Sequence, residues 1–257
     1  MKPVKMLAIC AITVLTLSAT ALVAGCAAST QQHPPATGNG FAVLELFTSE
    51  GCSSCPPADA VIARIQQEAA NKPVYVLAYH VDYWDRLGWK DKFSDARYTA
   101  RQRRYSELLG SQVYTPQLVV NGGSEYIGSN EKAVNNAVKI ALDQAPATAL
   151  NIRGQVQADK LHLSYQVTGN LRNSQLLVAV VQKHAVSKVQ KGENGGRTLS
   201  HVQIVRDLHT FDLAHGKAGT QQLNLPNGFN TQEWEIIGLV QNQETGAIDA
   251  AALLRFS

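Results

Sequence analysis

Hydrophobic residues recur with two different periods along this chain, and the period changes near residue 146. In the first part, residues 41–47 form an apolar run broken only by Glu45, which predicts a buried strand. Residues 58–70 then bring Val61, Ile62, Ile65 and Ala69 to one face at helical spacing, and Pro73 closes that helix. Residues 74–81 predict a second strand. The polar and aromatic stretch 82–112 has a helical tendency and reads as an insert. A third strand at 118–120 runs into Asn121 and Gly122, a strong hairpin signal, with Tyr126 and Ile127 on the return strand. Asn130 is placed to cap a helix with Ala133, Val134, Ala137, Val138 and Ala141 on its apolar side.

Beyond Pro146 the helical period gives way to short apolar segments, several of which alternate. Segments at 150–153, 161–167, 176–181, 202–208, 222–225, 234–240 and 251–256 predict strands, separated by Gly and Asn clusters. So many short strands in so short a stretch predict a β-sandwich over 147–257. No internal repeat interrupts the pattern.

The N-terminus follows a different logic. Lys2 and Lys5 precede an apolar run, residues 7–17, broken only by Thr13 and Thr16, and small residues follow. That layout predicts a secretory signal over 1–25. Leu22 to Cys26 resembles a bacterial lipobox, in which Cys26 becomes the lipidated first residue; a plain secreted protein cut nearby is the alternative. Ala27, rather than an acid, after that cysteine favours the outer over the inner membrane of a Gram-negative envelope. Residues 26–40, rich in Ala, Ser, Thr, Gln, Pro and Gly, read as a flexible tether. These features place the protein in the periplasm, joined to the membrane by an N-terminal lipid anchor.

Composition adds limits. With 45% hydrophobic and 17% charged residues in 257, the chain suits a folded core rather than disorder. Residues 1–25 carry two lysines and no acid, so the remainder holds 21 basic residues against 20 acidic ones. So even a balance gives no electrostatic footprint for nucleic acid. Both methionines, Met1 and Met6, fall within the signal, which argues against a methionine-based copper site.

Of the four cysteines, Cys10 leaves with the signal and Cys26 is the lipid site, leaving Cys52 and Cys55. Export would place that pair where a disulfide persists. The pair precedes a helix, whose unpaired N–H groups and dipole favour a thiolate at Cys52, the attacking species in disulfide exchange. Cys55 is close enough to resolve a mixed disulfide, and Pro56 and Pro57 fit a first helical turn. Two other readings stay open at this point: a structural staple, or part of a zinc or copper site completed by His80 or His201. No second cysteine pair is present to complete a zinc site.

Tyr114-Thr115-Pro116, opening the third strand, resembles the thioredoxin superfamily. The resemblance implies a cis bond before Pro116, with Pro116 facing the cysteines and Thr115 offering backbone groups to a peptide or thiol substrate. Residues 45–59 and 79–85 also resemble a family of exported bacterial proteins with a thioredoxin-like domain of unknown function, over residues 41–257. The expected architecture is thus an α/β thioredoxin-like domain (41–146, helical insert 82–112) followed by an all-β sandwich-like domain (147–257).

The superfamily keeps a buried acid on the first strand that moves protons for the resolving cysteine, and Glu45 is the residue matched to that part. A buried salt bridge and a solvent-facing edge are its other readings. Glu50 reads as an exposed helix-start residue. Trp84 and Trp89 would wall a substrate cleft or anchor the insert; Trp84 is the candidate substrate contact. Arg97, Arg101, Arg103, Arg104 and Tyr105 read as a solvated helix face. Glu193, Asn194, Arg197 and His201 lie in a polar loop that either binds a ligand, docks on the first domain, or is a self-contained turn.

The expected activity is a thiol–disulfide oxidoreductase of the cell envelope. It exchanges with an envelope protein or small thiol, is recycled by a redox partner, and needs no dissociable cofactor and no metal. A lipid-anchored scaffold and a metal chaperone are its rivals.

Overall fold

Two apolar runs, at 41–47 and 74–81, lie side by side as the parallel strands β1 (Ala42–Thr48) and β2 (Val74–His80), joined by helix α1 (Pro56–Ala69). The computed structural model describes Met1 and residues 40–256 apart from 70 and 215; the rest of the expected signal, Cys26 and most of the tether lie outside these. After β2 come a short 3-10 helix (Asp82–Leu87), α2 (Ala96–Leu109), the hairpin β3 (Gln117–Val120) and β4 (Ser124–Ile127), and α3 (Glu131–Leu142). Asn130 caps α3 as expected, its side chain accepting from the Ala133 N–H.

Eight strands follow: β5 (Ala149–Gln157), β6 (Lys160–Thr168), β7 (Ser174–Lys188), β8 (Thr198–Asp212), β9 (Ala218–Asn224), β10 (Trp234–Asn242), β11 (Ile248–Leu253) and β12 (Arg255–Phe256). They do not make a separate sandwich. β8 pairs in parallel with β2, Ala78 opposite Ile204. The result is one eight-stranded sheet, ordered β11-β10-β7-β8-β2-β1-β3-β4. Only β12, β5, β6 and β9 form a second sheet. The expectation of a thioredoxin-like domain followed by a sandwich is therefore overturned. Its physical sign lay in residues 176–181, an apolar run without alternation. Such a run marks a strand covered on both faces, whereas a one-face-buried strand alternates, as β6 does here.

Three apolar clusters cover that sheet. Leu44, Leu46, Val76 and Ala78 meet Val61, Ile62 and Ile65 of α1 and Val134 of α3. Val178, Val180, Ile236 and Val240 meet Ile152, Leu161 and Leu163 of the small sheet. On the opposite face, Val43 and Phe47 of β1 share a cluster with Tyr98 and Tyr105 of α2 and with Leu177, Ala179, Ile237 and Leu239 from beyond the join. Each such large side chain contributes about 1.5–3 kcal/mol on full burial.

The stretch read as an insert is thus the layer that spans the join. Its arginines are not one solvated face. Arg101 is 12% exposed at its side chain, pairs with Glu45 at 2.7 Å and reaches Gln241 of β10 at 3.1 Å. Tyr105 donates to Glu45 and accepts from Gln241, and the Tyr98 hydroxyl donates to the Val205 carbonyl at 3.0 Å. Arg97 adds a bond to Asp207 at 2.8 Å, while Arg103 and Arg104 are exposed. A second tie lies at the hairpin tip, where the Ile248 N–H donates to the Asn121 carbonyl. There Gly122 is at φ 64°, and a Cβ on it would run into the Gly246 carbonyl, so glycine is required twice over.

Because Glu45 and Arg101 are buried as a pair, removing one strands the other. Arg101→Ala should lower unfolding stability by about 3–5 kcal/mol in urea titrations, and Glu45→Leu combined with Arg101→Leu should recover most of it. A loss in the single variant below about 1 kcal/mol would show that the pair does not hold α2 to the sheet.

Candidate redox site

The β1–α1 connection carries the cysteine pair. Cys52 and Cys55 form a disulfide with Cα atoms 5.4 Å apart. The Ala58 and Asp59 N–H groups donate to the Cys55 carbonyl at 2.8 and 3.1 Å, so Cys55 sits at the threshold of α1, with Pro56 and Pro57 in the first turn. The helix N-terminus faces the pair, which favours negative charge on sulfur.

The Thr115–Pro116 bond is cis, as the resemblance implied. Thr115 meets Cys52 through its side chain, while its backbone carbonyl meets Ser54. Its hydroxyl lies 3.3 Å from Cys52 Sγ, while Trp84 Nε1 donates to the same oxygen at 2.9 Å. Indole N–H is only a donor, so the Thr115 oxygen accepts there and its own proton is free to point at the sulfur. Ser54 Oγ donates to the Thr115 carbonyl at 3.4 Å. Trp84 is therefore a support of Thr115, and Gly51 leaves room for it: a Cβ there would stand 3.0 Å from Trp84 Cβ.

The other wall comes from far along the chain. The tip between β7 and β8 reaches the cysteine loop, so the docking alternative holds for Glu193 and Asn194. Glu193 accepts from the Ser53 N–H at 3.0 Å and from its hydroxyl at 2.7 Å. Asn194, fully buried, donates to the Glu50 and Cys52 carbonyls, both at 2.9 Å, and Arg197 holds its side-chain oxygen at 2.7 Å. With both walls in place, Cys52 and Cys55 are each 0% exposed, so a substrate must displace part of this cover.

Glu45 does not face the pair. It alternates with Leu44 and Leu46, which pack against α1, and so turns to Arg101 and Tyr105 of α2. The buried salt bridge is its role here. Glu50, expected at the surface, is 0% exposed, with Trp89 Nε1 donating to it at 2.7 Å.

Glu50 belongs to a buried group of five ionisable side chains beside the cysteine loop, with Asp59 of α1, His80 of β2, Asp91 and His201 of β8. His80 Nδ1 and Asp91 Oδ2 are 2.6 Å apart, and Asp91 also accepts from the Glu50 and Phe93 N–H groups. Against the opposing pull of burial, these contacts hold the Asp91 carboxyl below its usual range and the His80 imidazole above its own. Against the same pull, His201 and Trp89 hold Glu50 below its ordinary value. Asp59 goes the other way: burial pushes it up to about 6. The sequence signal for this group is faint: Asp59 and His80 lie within the stretches 45–59 and 79–85, but nothing local marks Asp91 or His201 as their partners. Among the described residues, no cluster of three or more His, Cys, Asp or Glu side chains is placed to hold a metal ion.

The family described as "Protein of unknown function (DUF1223)" matches residues 43–241. No curated protein matches the chain. Among solved structures, protein AGR_C_4864 from Agrobacterium tumefaciens is similar, at 28% identity and a TM-score of 0.64, over 83% of this chain and 93% of that one. A domain of the outer membrane lipoprotein Omp28 from Porphyromonas gingivalis aligns at 10% identity and a TM-score of 0.25, over 44% of this chain and 91% of that one.

The Thr115 hydroxyl has a measurable effect on the reduced pair. Thr115→Val should leave about tenfold less Cys52 thiolate at a pH below its pKa, since a hydrogen bond to a charged group contributes on the order of 1.5 kcal/mol. Ultraviolet thiolate absorbance against pH reads this directly; an unchanged titration would mean the hydroxyl does not serve the sulfur.

Proposed function

We propose, for a chain that belongs to the DUF1223 family of proteins of unknown function, that it is a thiol–disulfide oxidoreductase working through Cys52 and Cys55. The observation that carries this reading is the hydrogen-bond chain from Trp84 through Thr115 to Cys52 Sγ, set beside the N-terminus of α1. A disulfide kept only as a staple has no use for a hydroxyl held with its proton toward one sulfur. In addition, a staple closing so short a loop stabilises little.

In the reduced protein the Cys52 thiolate attacks a substrate disulfide, forming a mixed disulfide and expelling one substrate thiolate. Cys55 then attacks Cys52 Sγ, closes the Cys52–Cys55 bond and expels the second thiolate. Two electrons pass from the pair to the substrate, and a dithiol partner restores them; the reverse sequence oxidises a substrate dithiol. Thr115 supports the thiolate form of Cys52. The substrate class is an envelope protein or small thiol. The N-terminal pattern supports export to the periplasm with lipidation at Cys26, in the outer rather than the inner membrane.

Complete burial of both sulfurs favours a second reading, a non-catalytic brace on a lipid-anchored scaffold. The two separate in one experiment. For the oxidoreductase, Cys55→Ser accumulates mixed disulfides with envelope proteins, Cys52→Ser accumulates none, and either change abolishes thiol-dependent insulin reduction. For the brace, neither variant differs from the parent in trapping or turnover.

A further inference from the structure

Both sulfurs are covered, so a substrate exchanges contacts with whatever lies over them, and those contacts differ in kind. We propose that the substrate is a peptide with an acidic residue beside its reacting cysteine, whose carboxylate takes the place that Glu193 holds on Ser53. This rests on the disulfide-exchange reading and adds the substrate class to it.

Three side chains make the cover. Asn194 is fully buried and donates to two backbone carbonyls, so it is anchored. Trp84 is tied to the Thr115 hydroxyl. Glu193 differs, because it is exposed and its bonds are made to Ser53, through Oε2 alone, from the N–H at 3.0 Å and the hydroxyl at 2.7 Å. Exposed charged contacts stabilise little and exchange readily. Ser53 directly follows Cys52, so whatever sits on it lies beside the attacking sulfur. An N–H and a hydroxyl converging on one oxygen form a seat for a carboxylate. Their bonds hold the Glu193 carboxyl below its ordinary range, so the seat favours the ionised form.

The surroundings also select negative charge. Here the segment after β2 and the tip between β7 and β8 run together. Lys92 Nζ donates to the Val186 carbonyl at 3.2 Å, and a Cβ on Gly192 would stand 3.6 Å from Trp89 Cβ. The first segment exposes Arg86, Lys90 and Lys92, and the second exposes Lys188, Lys191 and Arg197. Among the described residues none of these six is paired with a carboxylate, whereas Arg64, Arg97 and Arg101 are. Glu193 is the one exposed acid within 82–92 and 186–201: Asp91 is buried, and Asp82 and Asp85 are half-buried and bonded to Thr99 and Ser94. Beyond residue 25 the chain's charges nearly balance, so this rim is a local basic field that draws anions and repels cations. Its cations are spread over two segments, which suits several acidic side chains along a peptide better than one small anion.

Peptides carrying a single cysteine as its mixed disulfide with thiopyridine test this on the reduced protein. The Cys52 thiolate attacks the peptide sulfur, the peptide–pyridine disulfide breaks, and neutral pyridinethione leaves and is read by its absorbance. Each rate is divided by that peptide's rate with dithiothreitol, which removes intrinsic reactivity. With Asp, Asn or Lys flanking the cysteine, rates should fall in that order, by roughly tenfold from Asp to Asn at low salt. High salt should shrink this preference without abolishing it, since screening removes the field but spares short contacts on Ser53. Lys188→Glu with Lys191→Glu should slow the Asp peptide by about tenfold and leave the Asn peptide near the parent rate. Glu193→Ala should speed both peptides several-fold, because the seat is already empty. Equal parent rates for the Asp and Asn peptides overturn the proposal, as does a Glu193→Ala protein that matches the parent. A preference for mercaptopropionate over mercaptoethanol mixed disulfides, with none among the peptides, gives the seat to a small anionic thiol and overturns the peptide assignment. A reduced protein that releases no pyridinethione from any probe overturns the oxidoreductase reading beneath it.

Discussion

The parallel pairing of β2 with β8, registered at Ala78 and Ile204, joins strands that are more than a hundred residues apart in sequence. Long-range parallel pairing must repay a large loop entropy before it gains anything. Here the repayment comes from α2. Its tyrosines lie in one cluster with side chains from both sides of the join, and its arginines and Tyr98 reach strands on each side. The seam and the helix that covers it depend on each other.

That seam builds the candidate site. With β8 beside β2, His201 stands against His80 and Asp59, and the tip between β7 and β8 lies over the cysteine loop. The site has one wall from the sequence around residue 84 and another from the sequence around residue 194. Both cysteines are covered as a result, and five ionisable groups are buried close together beside them. Burying so many costs stability unless they are paired. Three of the five are held firmly, by Trp89 or by one another, while Asp59 and His201 make weaker contacts.

Much of this was legible locally. The strand, helix and hairpin positions follow from periodicity and from Asn121, Gly122 and Asn130, and most predicted strands beyond residue 146 are present at nearly the predicted places. What could not be read was partnership. A strand's own residues do not say which sheet it joins; the unbroken apolar run at 176–181 showed burial on both faces but not the identity of its neighbours. Arg101 looked like any surface arginine until the fold brought Glu45 to it. Thr115 and the cysteines were visible as a motif. Asn194, which ties down the cysteine loop, was visible only as one polar residue in a glycine-rich turn.

That single amide donates to the carbonyls of Glu50 and Cys52, the latter 142 positions away in the chain. Backbone carbonyls have no sequence identity, so no substitution in the cysteine loop can remove these two acceptors. Part of the control over the shape of the cysteine turn therefore resides in the distant hairpin, whose length sets where the amide arrives. Shortening or lengthening β7 and β8 by a residue pair would retune the turn without touching either cysteine. Drift in a segment that looks, on its own, like an idle loop can therefore reshape the turn that holds the cysteines.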